Sequence, residues 1–314
     1  MCAIMGFLNK TGSDRAPIGR ILLRMMLAVG CRGPDSSGVA LYGPATHGMV
    51  LRIKLGDDSG AITRKDALIA IAEKSGRVLE IYVVGVYLHL LVSTAIESRV
   101  DDLVASLESY ASDVEVVSLG RRLEIVKEVG TPESLEAVYG VSRFIGTHGI
   151  AHTRLSTESR IDLSHSQPFW AHGLPDVATA HNGHITNYHK LRRIFEQRGI
   201  RFYTENDSEI IGIYLRDRMQ SGASFAEALH ASLIDFDGSF SYVATTATAM
   251  AYVKDPFGLK PLIIAETDEW VAIGTEEIAL RSALAGEYRT REARTGAVQV
   301  WPTRQATLMG ARQN

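Results

Sequence analysis

The sequence predicts a layered α+β protein, on the strength of its periodicity and its composition. Apolar runs of strand length alternate with helical periodicities, and four strand-like segments follow one another between residues 238 and 274, as in an antiparallel meander. The 314 residues are 46% hydrophobic and 22% charged, which is typical of a globular chain with one large domain or two smaller ones. Strands in two sheets flanked by helices fit this pattern best.

The first part of the chain supplies a strand, a helix and a polar loop. Residues 3–8 are a short apolar run and predict a buried strand, whereas residues 18–29 place Ile, Leu and Met at helical spacing and end at Gly30. Residues 32–38 have the composition of a loop. Two further runs, 39–42 and 49–53, are expected to pair as strands.

Residues 56–143 have a separate alternating α/β pattern with few residues that suggest chemistry. Helical spacing is predicted at 64–74, 101–110 and 132–139, with strand-rich runs at 77–94 and 114–129 between them. We interpret this stretch as a small inserted α/β subdomain that interrupts the main domain. Helices are predicted again at 207–219, 224–233 and 276–285, and residues 286–314 are interpreted as a C-terminal tail.

Charge and cysteine content exclude several classes of function. A formal net charge of -3 without a long Lys/Arg run argues against nucleic acid or an anionic membrane as the main partner. The most apolar segment, residues 81–92, is too short to span a bilayer, and the N-terminus lacks the pattern of a signal peptide. Two cysteines cannot form a disulfide framework, so we expect a soluble protein of the reducing cytoplasm.

Cys2 is the strongest candidate for a nucleophile. Once the initiator methionine is removed, its thiol can attack while its α-amino group, with a reference pKa of roughly 7.7–8.0, accepts the proton. Taken alone, a cysteine at this position is more often an accident than a nucleophile. The second cysteine, Cys31, is expected to be a small buried apolar residue.

Polar residues later in the chain supply the other groups that hydrolysis of a free amino acid's amide requires. Asn182 and Gly183 can donate to the oxyanion of a tetrahedral intermediate, Arg154 matches a carboxylate, and Asp207 can pair with an ammonium group. Each has a structural alternative: Asn182-Gly183 has the composition of a hairpin turn, Arg154 could be an ion-pair residue, and Asp207 with Ser208 could cap a helix.

Five motifs follow one another along the chain: Cys2 before an apolar strand, Arg32-Gly33-Pro34-Asp35, His152-Thr153-Arg154, His181-Asn182-Gly183 and Asn206-Asp207-Ser208-Glu209. The motifs and their order resemble the class II glutamine amidotransferase domain, a glutamine-hydrolysing N-terminal nucleophile hydrolase. The resemblance covers residues 1–55 and 145–285. A further stretch, 255–262, resembles a turn of amidophosphoribosyltransferases.

The resemblance implies a four-layer αββα fold and a thioester on Cys2 that releases ammonia to a synthase site. It also implies that Arg154 binds the glutamine carboxylate and that Asp207 and the Gly183 carbonyl hold the amino group. Thr157 would line the pocket, and Arg32 would contribute to substrate binding from a loop near Cys2. Several relatives have a histidine or another residue at the position of Glu158, so the edge of the pocket is expected to differ here.

The same resemblance suggests a subfamily and partners. The residues after about 285 are too few for a synthase domain, so we expect an ammonia acceptor on another chain and a hetero-oligomer. The chain is most similar to stand-alone glutaminase subunits of glutamate-synthase-like complexes such as N-methylglutamate synthase. In those complexes FMN and iron–sulfur centres belong to the other subunits, and no cofactor is expected on this chain. The inserted segment and the tail are candidate docking surfaces.

The sequence leaves two other functions open and does not favour a metal site. A cysteine hydrolase for other acyl amides needs an apolar acyl pocket and no amino-acid clamp, so Arg154 and Asp207 disfavour it. A non-catalytic subunit would bind glutamine without turnover. Seven of the ten histidines lie between His148 and His189, but without an HExxH motif or a cysteine pair they do not predict a metal site.

Overall fold

The computed structural model describes residues 2–58, 60–93, 99–156 and 160–304. The helices are α1 (Ile18–Val29), α2 (Lys65–Ser75), α3 (Val100–Glu108), α4 (Pro132–Tyr139), α5 (Tyr188–Gln197), α6 (Glu209–Gln220), α7 (Phe225–Asp235) and α8 (Glu277–Ala283). The strands are β1 (Ala3–Asn9), β2 (Ser36–Tyr42), β3 (Gly48–Lys54), β4 (Val78–Val84), β5 (Tyr87–Ser93), β6 (Glu115–Gly120), β7 (Leu123–Val129), β8 (His148–Arg154), β9 (Phe169–Trp170), β10 (Ala178–Ile185), β11 (Gly238–Thr246), β12 (Ala249–Lys254), β13 (Ile263–Glu266), β14 (Trp270–Gly274), β15 (Thr290–Glu292) and β16 (Ala297–Pro302).

These strands form three antiparallel sheets. The largest has the order β15-β13-β14-β1-β8-β2-β7, the second has the order β16-β12-β11-β10-β9, and a smaller third sheet has the order β4-β5-β3-β6. Strand β1 lies inside the largest sheet, between β14 and β8. Both of its faces are buried, which explains why its sequence is a continuous apolar run rather than an alternating one.

Alternate residues of β1 belong to different layers. Met5 and Phe7 pack with helices α1, α4 and α8 on the outer face of the largest sheet. Ile4 and Leu8 point the other way, into the core that this sheet shares with β10, β11 and β12 of the second sheet. Helices α5, α6 and α7 cover the far face of the second sheet. The order of layers is therefore helix, sheet, sheet, helix, as predicted.

The third sheet differs from the predicted insertion in its membership. β3, which precedes residue 56, pairs with β5 and β6, whereas β7, inside residues 56–143, joins the largest sheet beside β2. The predicted pairing of residues 39–42 with 49–53 is therefore wrong. An apolar run of strand length satisfies either sheet equally well, so the sequence pattern does not determine which sheet it joins.

The predicted tail also contributes to the fold. β15 extends the largest sheet beside β13, and β16 pairs with β12 along its whole length in the second sheet. Residues 286–302 are thus part of both layers, and their role as a docking surface stays a prediction. Within the described ranges, none of the helices combines the length and the apolar character that a membrane span needs.

Candidate active site

Strand register places Cys2 beside Arg154. Ala3 pairs with Thr153 in the antiparallel β1–β8 ladder, so the residue before Ala3 lies next to the end of β8. The Leu155 backbone N–H donates to the Cys2 Sγ at 3.4 Å, and this Sγ lies 3.5 Å from the Leu155 carbonyl oxygen. The thiol therefore rests on the backbone that follows Arg154 and remains partly exposed.

Asn182 reaches the same point from the second sheet. It lies inside β10, so the alternative of a hairpin turn at Asn182-Gly183 is wrong. Its Nδ2 donates to the Cys2 carbonyl and to the Thr275 hydroxyl, each at 3.3 Å. Its Oδ1 lies 3.1 Å from Nε2 of His152. Burial lowers the pKa of His152 to about 3, so the ring is neutral, and the Oδ1 acceptor facing Nε2 favours the tautomer that carries its proton on Nε2. This bond fixes the amide with its donors toward Cys2.

Gly183 has a backbone that requires glycine. Its φ is +137°, and an added Cβ would lie 2.2 Å from the Ser239 carbonyl oxygen on β11. This close approach keeps β10 and β11 in register next to the candidate nucleophile. A side chain at this position would push the strands apart and displace the neighbouring Asn182.

Asp207 lies in the segment that enters α6. Its Oδ2 accepts the Ile185 backbone N–H at 2.8 Å, and the Nδ1 atoms of His181 and His184 each lie 3.9 Å from the carboxylate. The predicted capping role is not the one observed, because the Ser208 hydroxyl lies 2.8 Å from Nδ1 of His181 and makes no cap hydrogen bond. The carboxylate remains partly accessible and can accept another donor.

Arg154 ends β8 with a buried guanidinium group. Nη1 donates to the Arg160 carbonyl at 2.9 Å and Nη2 to the Ser156 hydroxyl at 3.3 Å. Burial lowers the pKa of Arg154, but a guanidinium stays protonated at any physiological pH. The loop around it is held by Asp35, whose carboxylate accepts the Ser156 N–H at 2.7 Å.

One cavity of about 530 Å³ joins these groups. Five of the predicted site residues line it: Cys2, Arg154, Asn182, Gly183 and Asp207. It therefore presents a thiol, an amide donor, a cation and an anion within one space.

One described residue of the predicted site lies outside the lining of this cavity. The Arg32 guanidinium forms an ion pair with Glu276, next to the Thr275 that contacts Asn182. The substrate-binding role of Arg32 stays a prediction. Thr157 and Glu158 lie outside the described residues. The prediction that Cys31 is buried is wrong: it lies exposed in a short 3-10 turn, Gly30–Arg32, at the end of α1.

The residues that support the site were not among those predicted from the sequence. Thr275 accepts from Asn182 and also from the Ile4 backbone N–H. Gln167 holds the strand below the site: its Oε1 accepts the His181 N–H at 2.7 Å, and its Nε2 donates to the His181 carbonyl and the Ser208 hydroxyl, each at 3.1 Å. One signal was available, because His152 and Arg154 are two residues apart and must share a face of their strand.

The histidines serve packing and hydrogen bonding. His148 stacks on Tyr42 with ring centroids 4.1 Å apart, and its Nε2 lies 2.8 Å from the Thr246 carbonyl oxygen. Burial lowers its pKa to about 3. In the described part of the chain, no group of three or more His, Cys, Asp or Glu side chains is arranged to hold a metal ion.

The fold and site together define a class of protein. Two facing antiparallel sheets between helical layers, with a cysteine at the start of a central strand, are the architecture of the N-terminal nucleophile hydrolases. The solved structure of the Bacillus subtilis glutamine phosphoribosylpyrophosphate amidotransferase shares this fold. Its TM-score is 0.60 at 18% identity, over 95% of this chain and 47% of that one.

Sequence comparison gives the family. The family model described as a glutamine amidotransferase domain matches residues 152–282. A Methanothermobacter thermautotrophicus protein assigned as a glutamine amidotransferase is 35% identical over 291 residues, 90% of this chain and 94% of its own length. The glutamine amidotransferase-like protein GlxB of Rhizobium meliloti is 35% identical over 280 residues, 89% of this chain and 91% of its own. The chain belongs to the class II glutamine amidotransferase family.

Similarity to longer enzymes is confined to part of them. The amidophosphoribosyltransferase of Archaeoglobus fulgidus is 32% identical over 169 residues, which are 54% of this chain and 35% of that enzyme.

Proposed function

We propose that this chain hydrolyses glutamine to glutamate and ammonia through a thioester on Cys2. The observation that carries the proposal is the composition of the one cavity at Cys2. It presents a thiol, an amide donor, and two opposite charges, Arg154 and Asp207, for the two charged groups of a free amino acid.

The proposed reaction begins when Met1 has been removed and the Cys2 α-amine is free. The amine takes the thiol proton as Sγ attacks the δ-carbonyl carbon of glutamine. The Asn182 Nδ2 exchanges one of its two 3.3 Å hydrogen bonds for the resulting oxyanion, to which the Gly183 N–H also donates. The intermediate then collapses, the C–N bond breaks, and the leaving nitrogen takes the proton from the α-ammonium group and departs as ammonia. Water attacks the thioester with the α-amine again as base, and glutamate and the free thiol are released.

Recognition of glutamine follows from the charges of the cavity. The Arg154 guanidinium is a planar donor matched to the α-carboxylate, and the accessible Asp207 carboxylate suits the α-ammonium group. These contacts are the same in ground and transition states, so they contribute to affinity more than to the chemical step.

We further propose that the ammonia is used by a synthase site on a partner chain, in a hetero-oligomer of glutamate-synthase-like type. FMN and iron–sulfur centres would belong to those partners. The proposal is supported by the extent of similarity: it spans nearly the whole of two relatives, but 35% of an amidophosphoribosyltransferase. In addition, the described strands and helices belong to the amidotransferase layers and to the third sheet with its helices.

Covalent labelling tests the proposal directly. The purified protein is incubated with 6-diazo-5-oxo-L-norleucine, an electrophilic glutamine analogue, and examined by intact mass and peptide mapping. We expect Met1 to be absent and one adduct on Cys2, blocked by excess glutamine. Cys31 is an internal control, because it is the more exposed of the two thiols and lies outside the cavity.

The alternatives predict other results. An adduct on Cys31, or labelling that glutamine does not block, would contradict the proposed nucleophile and substrate. Turnover of acyl amides without turnover of glutamine would indicate the hydrolase for other amides. Glutamine binding with Met1 retained and no adduct would indicate a non-catalytic subunit.

A further inference from the structure

The segment that carries Asp207 is held in place by the residue two positions further on. Oε1 of Glu209 accepts the Tyr203 backbone N–H at 2.8 Å. Oε2 accepts both the Thr204 N–H at 2.9 Å and the Thr204 hydroxyl at 2.8 Å. Glu209 is the first residue of α6 and is only 4% exposed. One buried carboxylate thus receives three donors from the segment before Asp207.

The bonds continue through that segment. The Thr204 hydroxyl accepts the Asn206 N–H at 3.0 Å, and the Asn206 side-chain oxygen accepts the Ser208 N–H at 3.0 Å. The residues on both sides of Asp207 are therefore fixed to Glu209 through Thr204. If the Glu209 carboxylate lost its three hydrogen bonds, the segment that precedes Asp207 would no longer hold Asp207 in position.

The same segment is bonded to the third-sheet region. The Tyr203 hydroxyl donates to Oε2 of Glu108, the last residue of α3, at 2.6 Å. The other oxygen of Glu108 accepts the Val116 N–H on β6 at 2.9 Å. The Tyr203 ring is stacked on His172 with centroids 3.9 Å apart, so the ring has little freedom to swing away.

Burial destabilises the charged form of both carboxyl groups, Glu209 and Glu108. Burial raises the pKa of Glu209 and of Glu108 to about 7 each. Uncharged side chains would fill the same space without a desolvation penalty. Their hydrogen bonds therefore point to a role beyond filling the core.

We propose that Glu209 and Tyr203 are positioning residues for Asp207, and that the Tyr203–Glu108 bond couples helix α3 to the ammonium-binding part of the cavity. A displacement at the end of α3, such as a docked partner would cause, would then change the affinity for glutamine. The inference rests on the proposed role of Asp207 and extends it to residues that do not touch the substrate.

The test compares two ligands that differ only in the group that Asp207 would hold. Equilibrium binding of L-glutamine and of glutaramate, which lacks the α-amino group, is measured on Cys2→Ala protein, where no turnover interferes. Tyr203→Phe and Glu209→Gln are each expected to weaken glutamine binding by roughly fivefold or more, and glutaramate binding much less. A merely structural defect would weaken both ligands alike.

Matched variants separate coupling from general damage. Glu108→Leu should reproduce the effect of Tyr203→Phe. Glu108→Gln keeps a partner for the Tyr203 hydroxyl and should bind glutamine as well as the parent, which is the Cys2→Ala protein without a second substitution. Tyr214→Phe is the control, because it also removes a tyrosine–carboxylate bond, to Asp235, on α6 but outside the cavity.

Three results would overturn the inference. One is equal loss of both ligands in Tyr203→Phe, and another is unchanged glutamine affinity in Glu108→Leu. The third is a Tyr214→Phe variant that matches Tyr203→Phe. If the parent binds glutamine but the wild type does not hydrolyse it, the proposed function fails while the positioning role is still measured. Failure of the parent to bind glutamine at all would reject both.

Discussion

The cavity at Cys2 is lined mainly by polar side chains, several of them buried, whereas the core of the third sheet is mainly apolar. Around the cavity, polar side chains such as His152 and Asn182 are buried and joined by hydrogen bonds to named partners. In the third sheet, apolar side chains such as Leu51 and Leu90 form the core, while Ile81 of the edge strand β4 is 46% exposed. Hydrogen-bond geometry restricts residue type far more than apolar volume does. The recognisable motifs therefore fall in the first region.

Among substitutions in the two regions, replacement of the candidate nucleophile in the cavity should have the largest effect on activity. Cys2→Ala is expected to abolish glutamine turnover and to leave glutamine binding nearly intact, because in the proposed reaction the thiol forms the thioester while the charged groups hold the substrate. Ammonia release and equilibrium binding are measured on the same preparation, with Cys31→Ala as the control. Turnover above background in Cys2→Ala would contradict the assignment of Cys2 as the nucleophile.

Loss of an oxyanion donor should be the next largest effect. Asn182→Ala is expected to lower kcat by about 10² to 10³, with a small change in KM, because the oxyanion exists only beyond the ground state. Steady-state kinetics with glutamine measures both constants. His152→Phe removes the donor that orients the Asn182 amide and should give a smaller loss of kcat. A change confined to KM in either variant would contradict the oxyanion role.

Removal of the carboxylate partner should act on affinity. Arg154→Ala is expected to reduce kcat/KM by roughly 30-fold to 100-fold, chiefly through KM, because the carboxylate contact is common to ground and transition states. Calorimetric binding of glutamine to the variant provides an independent measure. If kcat fell and KM did not, Arg154 would have another role.

Stability should depend on pH through buried groups of both regions. Burial lowers the pKa of His148, His152 and His172 to about 3 each, so their folded forms are neutral while their unfolded forms gain a proton below about pH 6.5. Stability from these histidines is therefore lost as pH falls. Glu108 and Glu209 have the opposite sign: their pKa values are raised to about 7, so stability from them is lost as pH rises toward 7.

His172→Phe isolates one of these contributions. The free energy of unfolding of wild type should fall relative to the variant by about 1.4 kcal/mol for each pH unit between pH 6.5 and 4.5. Above pH 7 the two stability curves should run parallel, since the histidine is then neutral in both states. Denaturant unfolding at several pH values measures the difference. Parallel curves over the whole range would show that His172 is not held neutral by the fold.

The smallest effect is expected on the edge strand of the third sheet. Ile81→Lys places a charge on an exposed position of β4, and the free energy of unfolding should change by no more than about 0.5 kcal/mol. Glutamine kinetics should be unchanged. A shift in KM would mean that β4 also communicates with the cavity, and the contrast between the two regions would then be weaker than the structure suggests.

Much of the site could be predicted because its chemistry needs particular residue types. A nucleophilic thiol, an amide donor and two opposite charges can be recognised without coordinates, and the structure brings Cys2, Arg154, Asn182 and Asp207 to one cavity. Arg32 could not be placed in this way. Its motif predicted a role at the substrate, which stays a prediction, and a guanidinium can reach several partners; here it pairs with Glu276.

The sequence by itself determined the layered α+β architecture, most of the helices and strands, and the residues proposed to hydrolyse an amide. Local periodicity and residue chemistry are sufficient for these. Only the tertiary structure decided that β3 leaves the main sheet while β7, β15 and β16 join the two large ones. It also decided that Thr275, Gln167 and Glu209 hold the site together. Sheet membership and buried hydrogen bonds join residues far apart in the chain. A local sequence pattern does not show which of these distant residues come together.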